Sequence, residues 1–201
     1  MTLEAALGHL EAGIAAAREL GLSTADAEAV ATEAVARLGY PADVYVLALV
    51  GGTGVGKSSL LNALAGDEVS PASVRRPTTS EPVAWVSAEA RGELACLLGW
   101  LGVTQVREHA AEGAAAHVAV LDLPDMDSVE RGHRARVEEL LPRVDAVAWV
   151  TDPEKYHDAV LHDDFLRRWL PRLDRQVLVI NKADRLAGDD AERLRADLGR
   201  D

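Results

Sequence analysis

Apolar runs of strand length recur along the chain after residue 43, and helical patterns separate them. The runs are residues 44–50, 82–87, 118–123, 146–151 and 176–181. Runs so nearly unbroken are typical of strands covered on both faces, as in a mostly parallel sheet flanked by helices. The intervening patterns predict helices at residues 57–65, 129–141, 158–169 and 190–198, with one or two more within residues 88–113. The sequence therefore predicts an α/β fold with a central sheet.

A different pattern precedes the first apolar run. Residues 3–38 are rich in Ala, Glu and Leu, and their apolar positions follow helical spacing. Gly21 and Ser23 interrupt this pattern, and Ser23 is a plausible N-cap for a second helix. We expect residues 1–40 to form a helical hairpin ahead of a main domain at residues 41–201. The pattern leaves open whether the hairpin packs beside the sheet or pairs with a partner.

Composition narrows the classes of protein. The chain has 33 acidic and 21 basic residues, for a net charge of −12. A nucleic-acid-binding protein normally has a basic face, so no nucleic-acid partner is indicated. No apolar run approaches the roughly 18 residues of a membrane-spanning helix, and the single Cys96 fits a reducing compartment. A cytoplasmic location is the expectation.

The strongest chemical signal follows the first apolar run and matches G-x-x-x-x-G-K-[ST]. It consists of Gly51, Gly52, Thr53, Gly54, Val55, Gly56, Lys57 and Ser58. Glycines let consecutive main-chain N–H groups surround a phosphate, Lys57 reaches the β- and γ-phosphates, and Ser58 offers a hydroxyl to Mg²⁺. The motif lies between a strand and a helix, as it must. It predicts a three-layer P-loop NTPase fold with a nucleotide site that extends to Ser59.

The chain has three lysines, and its other 18 basic residues are arginine. Two of the three lysines lie in motifs that indicate nucleotide binding. Lys57 is in the P-loop, and Lys182 is in Asn181-Lys182-Ala183-Asp184, directly after the fifth apolar run. The third, Lys155, is better explained as a salt-bridged surface residue than as a functional one.

The N-K-x-D pattern of Asn181 to Asp184 resembles that of the P-loop GTPases of the translation-factor-related class, from Era-like to bacterial dynamin-like members. The resemblance implies that Asp184 accepts hydrogen bonds from the guanine N1–H and N2 amine, that Asn181 supports the loop, and that the stem of Lys182 lies against the base. Adenine lacks these paired donors, which would leave the carboxylate unpaired. GTP and GDP are the expected substrate and product.

Asp122 lies near the end of the third apolar run, at the position that binds Mg²⁺ in this family, and we expect it to do so here through a water molecule. The family pattern is D-x-x-G, whose glycine N–H contacts the γ-phosphate. Here Asp125 replaces the glycine, and an additional carboxylate would repel the γ-phosphate unless it were turned away or bound to metal. Met126 stands where some relatives have a catalytic glutamine. Slow GTP hydrolysis is therefore expected.

A loop before the second apolar run resembles the switch I segment of the same groups. It reads Arg75-Arg76-Pro77-Thr78-Thr79-Ser80. The resemblance implies that Thr79, or alternatively Thr78, completes the Mg²⁺ shell and supports catalysis. Arg75 or Arg76 is more simply an exposed charge than an arginine finger.

The resemblance spans residues 44–184. Family members continue into another strand and its base-closing loop, so we expect a domain that is incomplete at its C-terminus, with any membrane-binding or self-assembly region outside this chain. Three functions remain open: a slow GTPase acting as a switch or mechanochemical module, a GTP/GDP-binding regulatory module with negligible hydrolysis, and, less favoured, a P-loop ATPase or kinase.

Overall fold

The computed structural model describes residues 3–38, 44–71, 81–110, 112–128, 131–155, 160–186 and 190. Six strands form a single sheet. They are β1 (Tyr45–Val50), β2 (Val83–Ser87), β3 (Gln105–His109), β4 (Val118–Asp122), β5 (Ala146–Thr151) and β6 (Gln176–Ile180). In the described part of the chain, no helix is both long and apolar enough to span a bilayer.

The strand order is β3-β2-β4-β1-β5-β6, and only the pairing of β2 with β4 is antiparallel. Strands β4, β1, β5 and β6 therefore run in the same direction, and their carboxyl ends meet at one edge of the sheet. In the register, Leu49 lies opposite Asp122, and Thr151 lies opposite Ile180. This arrangement brings the segments that follow these four strands together, although they are far apart in sequence.

Helices surround this sheet and precede it. They are α1 (Leu3–Glu19), α2 (Ala25–Leu38), α3 (Lys57–Ala65), α4 (Arg91–Trp100), α5 (Arg131–Leu140) and α6 (Arg167–Trp169), the last preceded by a π-helical segment (Val160–Leu166). Single 3-10 turns occupy Gly113–His117, Leu141–Arg143 and Ala183–Arg185.

Alternate side chains of the central strand pack on opposite faces of the sheet. Val46, Ala48 and Val50 of β1 belong to the larger apolar cluster, with side chains from α4, α5 and the π-helical segment. Leu49 belongs to a smaller cluster with Leu61 of α3. Both faces are thus covered, which explains why the strand sequences are nearly unbroken apolar runs and confirms the three-layer α/β prediction.

Two local predictions require correction. Residues 88–113 contain α4 but also the strand β3, which the sequence did not predict because its residues are mostly polar and half-exposed at the sheet edge. Helix α2 begins at Ala25, so Thr24 rather than Ser23 immediately precedes it. The predicted helix at residues 190–198 lies outside the described residues except for Asp190. Two helices are present in residues 3–38, and they pack on each other; one residue of each, Ile14 and Ala31, is buried.

Candidate functional site

The P-loop lies between β1 and α3, where the sequence predicted it, and its conformation requires glycine. A Cβ atom at Gly51 would collide with the main-chain oxygen of Val150 on the neighbouring strand. Gly56 has φ of 95°, in the left-handed region, and its Cβ would collide with the side-chain amide of Asn181. The loop is thus packed tightly between β5 and the segment that follows β6.

Lys57 turns its side chain back into this loop, where it is only 4% exposed. Its Nζ donates to the carbonyl oxygens of Gly51 and Gly52, at 3.0 and 3.4 Å. It also lies 2.5 Å from Oδ1 of Asp125, in the segment after β4. Asp125, which replaces the family's glycine, is therefore neither turned away nor exposed but paired with the P-loop lysine.

Asp122 is fully buried at the end of β4, beside the first turn of α3. Its Oδ2 accepts hydrogen bonds from the hydroxyl groups of Ser58 and Ser70, each at 2.6 Å. Burial raises the pKa of the Asp122 carboxyl, although the charge of Lys57 opposes the shift. Its Oδ1 has no hydrogen-bond partner among the described residues. The carboxylate thus keeps one buried oxygen available next to the Ser58 hydroxyl. Ser70 was not predicted, since no motif includes it.

The N-K-x-D segment contacts the P-loop directly. Asn181 donates from Nδ2 to the carbonyl oxygen of Val55, at 2.8 Å. Lys182, whose φ of 55° is left-handed, donates from Nζ to the carbonyl oxygen of Gly54 and to Oδ2 of Asp152, the latter at 2.7 Å. Asp184 lies exposed in the 3-10 turn that follows. The two predicted motifs are therefore in direct contact.

A second acidic residue after β4 also contacts the P-loop, and the sequence analysis missed it. Oδ1 of Asp127 accepts from the main-chain N–H and the hydroxyl of Thr53, at 2.6 and 2.7 Å. Burial alone would raise the pKa of Asp127, but the hydrogen bonds from Thr53, together with Lys155, outweigh it and lower the pKa. A Cβ atom at Gly52 would come within 2.8 Å of Oδ2 of this carboxylate.

Lys155 joins this contact from the segment after β5. Its Nζ donates to the carbonyl oxygen of Thr53 at 2.7 Å and to Oδ2 of Asp127 at 3.2 Å. The predicted salt bridge exists, but it lies against the P-loop, and the side chain is only 31% exposed. The rarity of lysine in this arginine-rich chain was the sequence signal for this position.

The remaining predicted residues divide into two groups. Ser59 lies exposed in the first turn of α3. The switch I residues Arg75, Arg76, Thr78 and Thr79 lie outside the described residues, so the predicted role of Thr79 at Mg²⁺ stays a prediction.

Comparison with solved structures finds the same fold in proteins of low sequence identity. Era in complex with MgGDPNP and a 16S ribosomal RNA fragment is 21% identical, with a TM-score of 0.56, over 79% of this chain and 47% of that one. An Era variant from Aquifex aeolicus bound to GDP and AlF4⁻ is 22% identical, with a TM-score of 0.54, over the same shares. A member of a bacterial dynamin pair is 18% identical, with a TM-score of 0.53, over 76% of this chain and 29% of that one.

These structures extend well beyond the shared region, since the matched part is about half of each Era chain or less. Among curated protein sequences, none matches the chain. A family model does match, and it is described as a 50S ribosome-binding GTPase and aligns with residues 46–182. That span is more than half of the chain, includes the P-loop and Asp122, and ends within the N-K-x-D segment. The chain therefore belongs to the 50S ribosome-binding GTPase family, and its α/β domain is a GTP-binding domain of that family.

Proposed function

We propose that this domain binds GTP and GDP together with Mg²⁺ and hydrolyses GTP slowly, as a molecular switch or mechanochemical module. The observation that carries the proposal is the contact of Asn181 with Val55, at 2.8 Å, together with that of Lys182 with Gly54. A phosphate held in the P-loop would place the attached base beside the N-K-x-D segment. Phosphate binding and base selection can then act on one nucleotide.

Guanine selection rests on Asp184. The carboxylate lies in the exposed turn directly after the two residues that contact the P-loop. Guanine offers a paired N1–H and N2 amine to a carboxylate, whereas adenine leaves it without a donor. We therefore assign Asp184 to base selection, and Asn181 and Lys182 to holding the base loop against the P-loop.

The surroundings of Asp122 fit a magnesium ion. The described residues contain no cluster of three His, Cys, Asp or Glu side chains able to hold a metal. A Mg²⁺ that keeps several of its waters and binds phosphate oxygens needs only a few protein oxygens, with one or two carboxylates among them. The Ser58 hydroxyl and the unpaired Oδ1 of Asp122 supply such oxygens, and Thr79 is the proposed third contributor. When bound, the ion would neutralise charge on the phosphates.

The rest of the catalytic effect would come from groups already in the P-loop. Main-chain N–H groups of the loop and the buried ammonium of Lys57 can stabilise charge that develops on the transferring phosphoryl group. Met126 is 4% exposed and apolar, so it cannot orient a water molecule. Charge stabilisation without a water-orienting side chain at this position supports slow hydrolysis.

The net charge of the chain supports a proposal about its ligand, and its composition supports one about its cellular location. The net charge of −12 supports a nucleotide rather than a nucleic acid as the ligand of this domain. We propose a cytoplasmic location, and we assign any membrane contact or self-assembly to regions outside this chain.

Isothermal titration with GTP, GDP and ATP in the presence of Mg²⁺ tests the proposal. We expect GTP and GDP to bind and ATP to bind at least tenfold more weakly, because a site that hydrogen-bonds a substrate N–H rejects an analogue without that donor by this factor or more. Lys57→Ala should weaken binding of every nucleotide. Equal affinity for ATP and GTP would instead favour an ATPase or kinase.

A second candidate function is a regulatory module that binds guanine nucleotide without appreciable hydrolysis. The Lys57–Asp125 pair favours such a module, because the Asp125 carboxylate already pairs with the lysine that a γ-phosphate would contact. Single-turnover phosphate release at saturating GTP separates the two functions. A rate equal to that of Lys57→Ala would favour the module, and a faster one the slow GTPase.

A further inference from the structure

All three protons of the Lys57 ammonium group have partners within the protein. An ammonium has three donors, and here three oxygens surround it. Two are main-chain carbonyls, of Gly51 at 3.0 Å and Gly52 at 3.4 Å, and the third is the carboxylate of Asp125 at 2.5 Å. The lysine is 4% exposed, so little solvent reaches it. A phosphate oxygen can therefore contact Lys57 only by displacing one of these three oxygens.

Asp125 is held in place by the two residues that follow it. The next residue, Met126, donates its main-chain N–H to the carbonyl oxygen of Gly51 at 3.3 Å and buries its side chain. Asp127, one residue further, accepts both the N–H and the hydroxyl of Thr53. The β4 loop (residues 123–128) is thus attached to the P-loop at three consecutive residues. The main chain on which Asp125 lies is therefore fixed beside Lys57.

We infer that Asp125 is a specificity-determining residue that makes this site prefer a nucleoside diphosphate to the corresponding triphosphate, an inference that rests on the proposed function. A P-loop lysine reaches both the β- and the γ-phosphate. The β-phosphate can replace the long contact with Gly52 and leave the Lys57–Asp125 pair intact. A γ-phosphate would bring further negative charge to the place that the Asp125 carboxylate occupies, and like charges at such short range repel strongly where solvent is excluded.

To reach Lys57, the γ-phosphate must displace the Asp125 carboxylate, whereas the diphosphate leaves the Lys57–Asp125 pair in place. The site distinguishes the two nucleotides by a carboxylate of its own that stands in for the terminal phosphate.

The test compares the affinities of N-methylanthraniloyl-labelled GDP and its labelled non-hydrolysable GTP analogue, with Mg²⁺, for the whole chain. Asp125→Asn keeps the shape of the side chain and removes its charge. Asp163→Asn is the matched control, because it removes one charge from an exposed ion pair between Asp163 of the π-helical segment and Arg167 of α6. Circular dichroism melting verifies that the variants fold. Asp125→Ser, which also removes the charge, is the second variant in case Asp125→Asn does not fold.

We expect the unmodified chain to bind the diphosphate at least tenfold more tightly, and Asp125→Asn to narrow the ratio to below about threefold, chiefly by tighter triphosphate binding. Asp163→Asn should leave the ratio unchanged. Equal affinities in the unmodified chain would overturn the inference whether or not the variants fold, as would an unchanged ratio in folded Asp125→Asn. Failure to bind either nucleotide would instead contradict the proposed function on which the inference rests.

Discussion

The side-chain amide of Asn181 donates to the main-chain oxygen of Val55, 126 residues earlier in the sequence, at 2.8 Å. The same amide occupies the space that a Cβ atom at Gly56 would need. The contact therefore explains two sequence requirements together, a glycine in the P-loop and an asparagine after β6. It fixes the distance between the P-loop and the segment to which we assign base selection.

Replacing Asn181 by Ala should weaken guanine-nucleotide binding by roughly tenfold, about the effect of one hydrogen bond whose loss leaves the carbonyl of buried Val55 unpaired. Calorimetric titration with GDP measures the change. Gln105→Ala is the control, because it removes a side-chain amide from the far edge of the sheet. Unchanged GDP affinity in Asn181→Ala would mean that this contact does not position the base loop.

Asp122→Asn tests the proposed magnesium site. The buried carboxyl has a pKa raised by desolvation, so its charged form gains most when a cation lies beside its unpaired oxygen. We expect Mg²⁺ to increase GTP affinity in the unmodified chain, measured against EDTA, and the increase to fall by roughly tenfold or more in the variant, as for other outer ligands of metals. An undiminished magnesium effect in Asp122→Asn would exclude Asp122 from the metal site.

Lys182→Ala should change how the free energy of unfolding depends on pH. Asp152 is 2% exposed; burial alone would raise its pKa, but Lys182 and the main-chain N–H groups of Lys155 and Glu154 outweigh burial and lower it. A lowered folded-state pKa contributes stability above the unfolded-state value, and that stability is lost as pH falls through the folded-state value.

Removing Lys182 should therefore cost about 1–3 kcal/mol at pH 7, the effect of leaving a buried charged acceptor short of a partner. The cost should shrink below about pH 4, where the carboxyl becomes protonated in the unfolded chain. Urea denaturation at a series of pH values measures both. A cost that stays constant with pH would show that Lys182 stabilises the fold through packing rather than through Asp152.

Sequence patterns predicted the strands whose residues form apolar runs, including β6 at one edge of the sheet, and missed β3 at the other edge. Strands β1, β4 and β5 are buried on both faces, so their apolar runs are continuous. Strand β3 at the sheet edge is half-exposed, and its polar residues carry no such pattern. Propensity and periodicity detect a strand through its apolar residues, whereas a polar strand such as β3 is defined by the neighbour with which it pairs.

The same limit applies to the site. Gly51 to Ser58 and Asn181 to Asp184 were predicted because each is a compact motif whose spacing follows from its chemistry. The contact of Thr53 with Asp127 joins residues 74 apart, and nothing in either local sequence indicates it. Only the common direction of β1 and β4 brings the two residues together. The ion pair of Asp125 with Lys57 depends on the same strand arrangement. The sequence therefore shows that Asp125 replaces a glycine, but it does not show which residue the carboxylate contacts.

A double-mutant cycle on Asp127 and Lys155 tests whether these residues act as one unit on the P-loop. Both contact Thr53 and each other, and both are largely buried, so the effects of Asp127→Ala and Lys155→Ala on unfolding free energy should not add. Contacting residues in one network typically couple by about 0.5–3 kcal/mol, and we expect a value in this range from urea denaturation. The exposed pair Asp163–Arg167 is the matched control, and its coupling should be near the limit of measurement because solvent screens it. If the Asp127–Lys155 coupling is no larger than that of the surface pair, the two residues contact the P-loop independently, and Lys155 does not contribute to the attachment of the β4 loop.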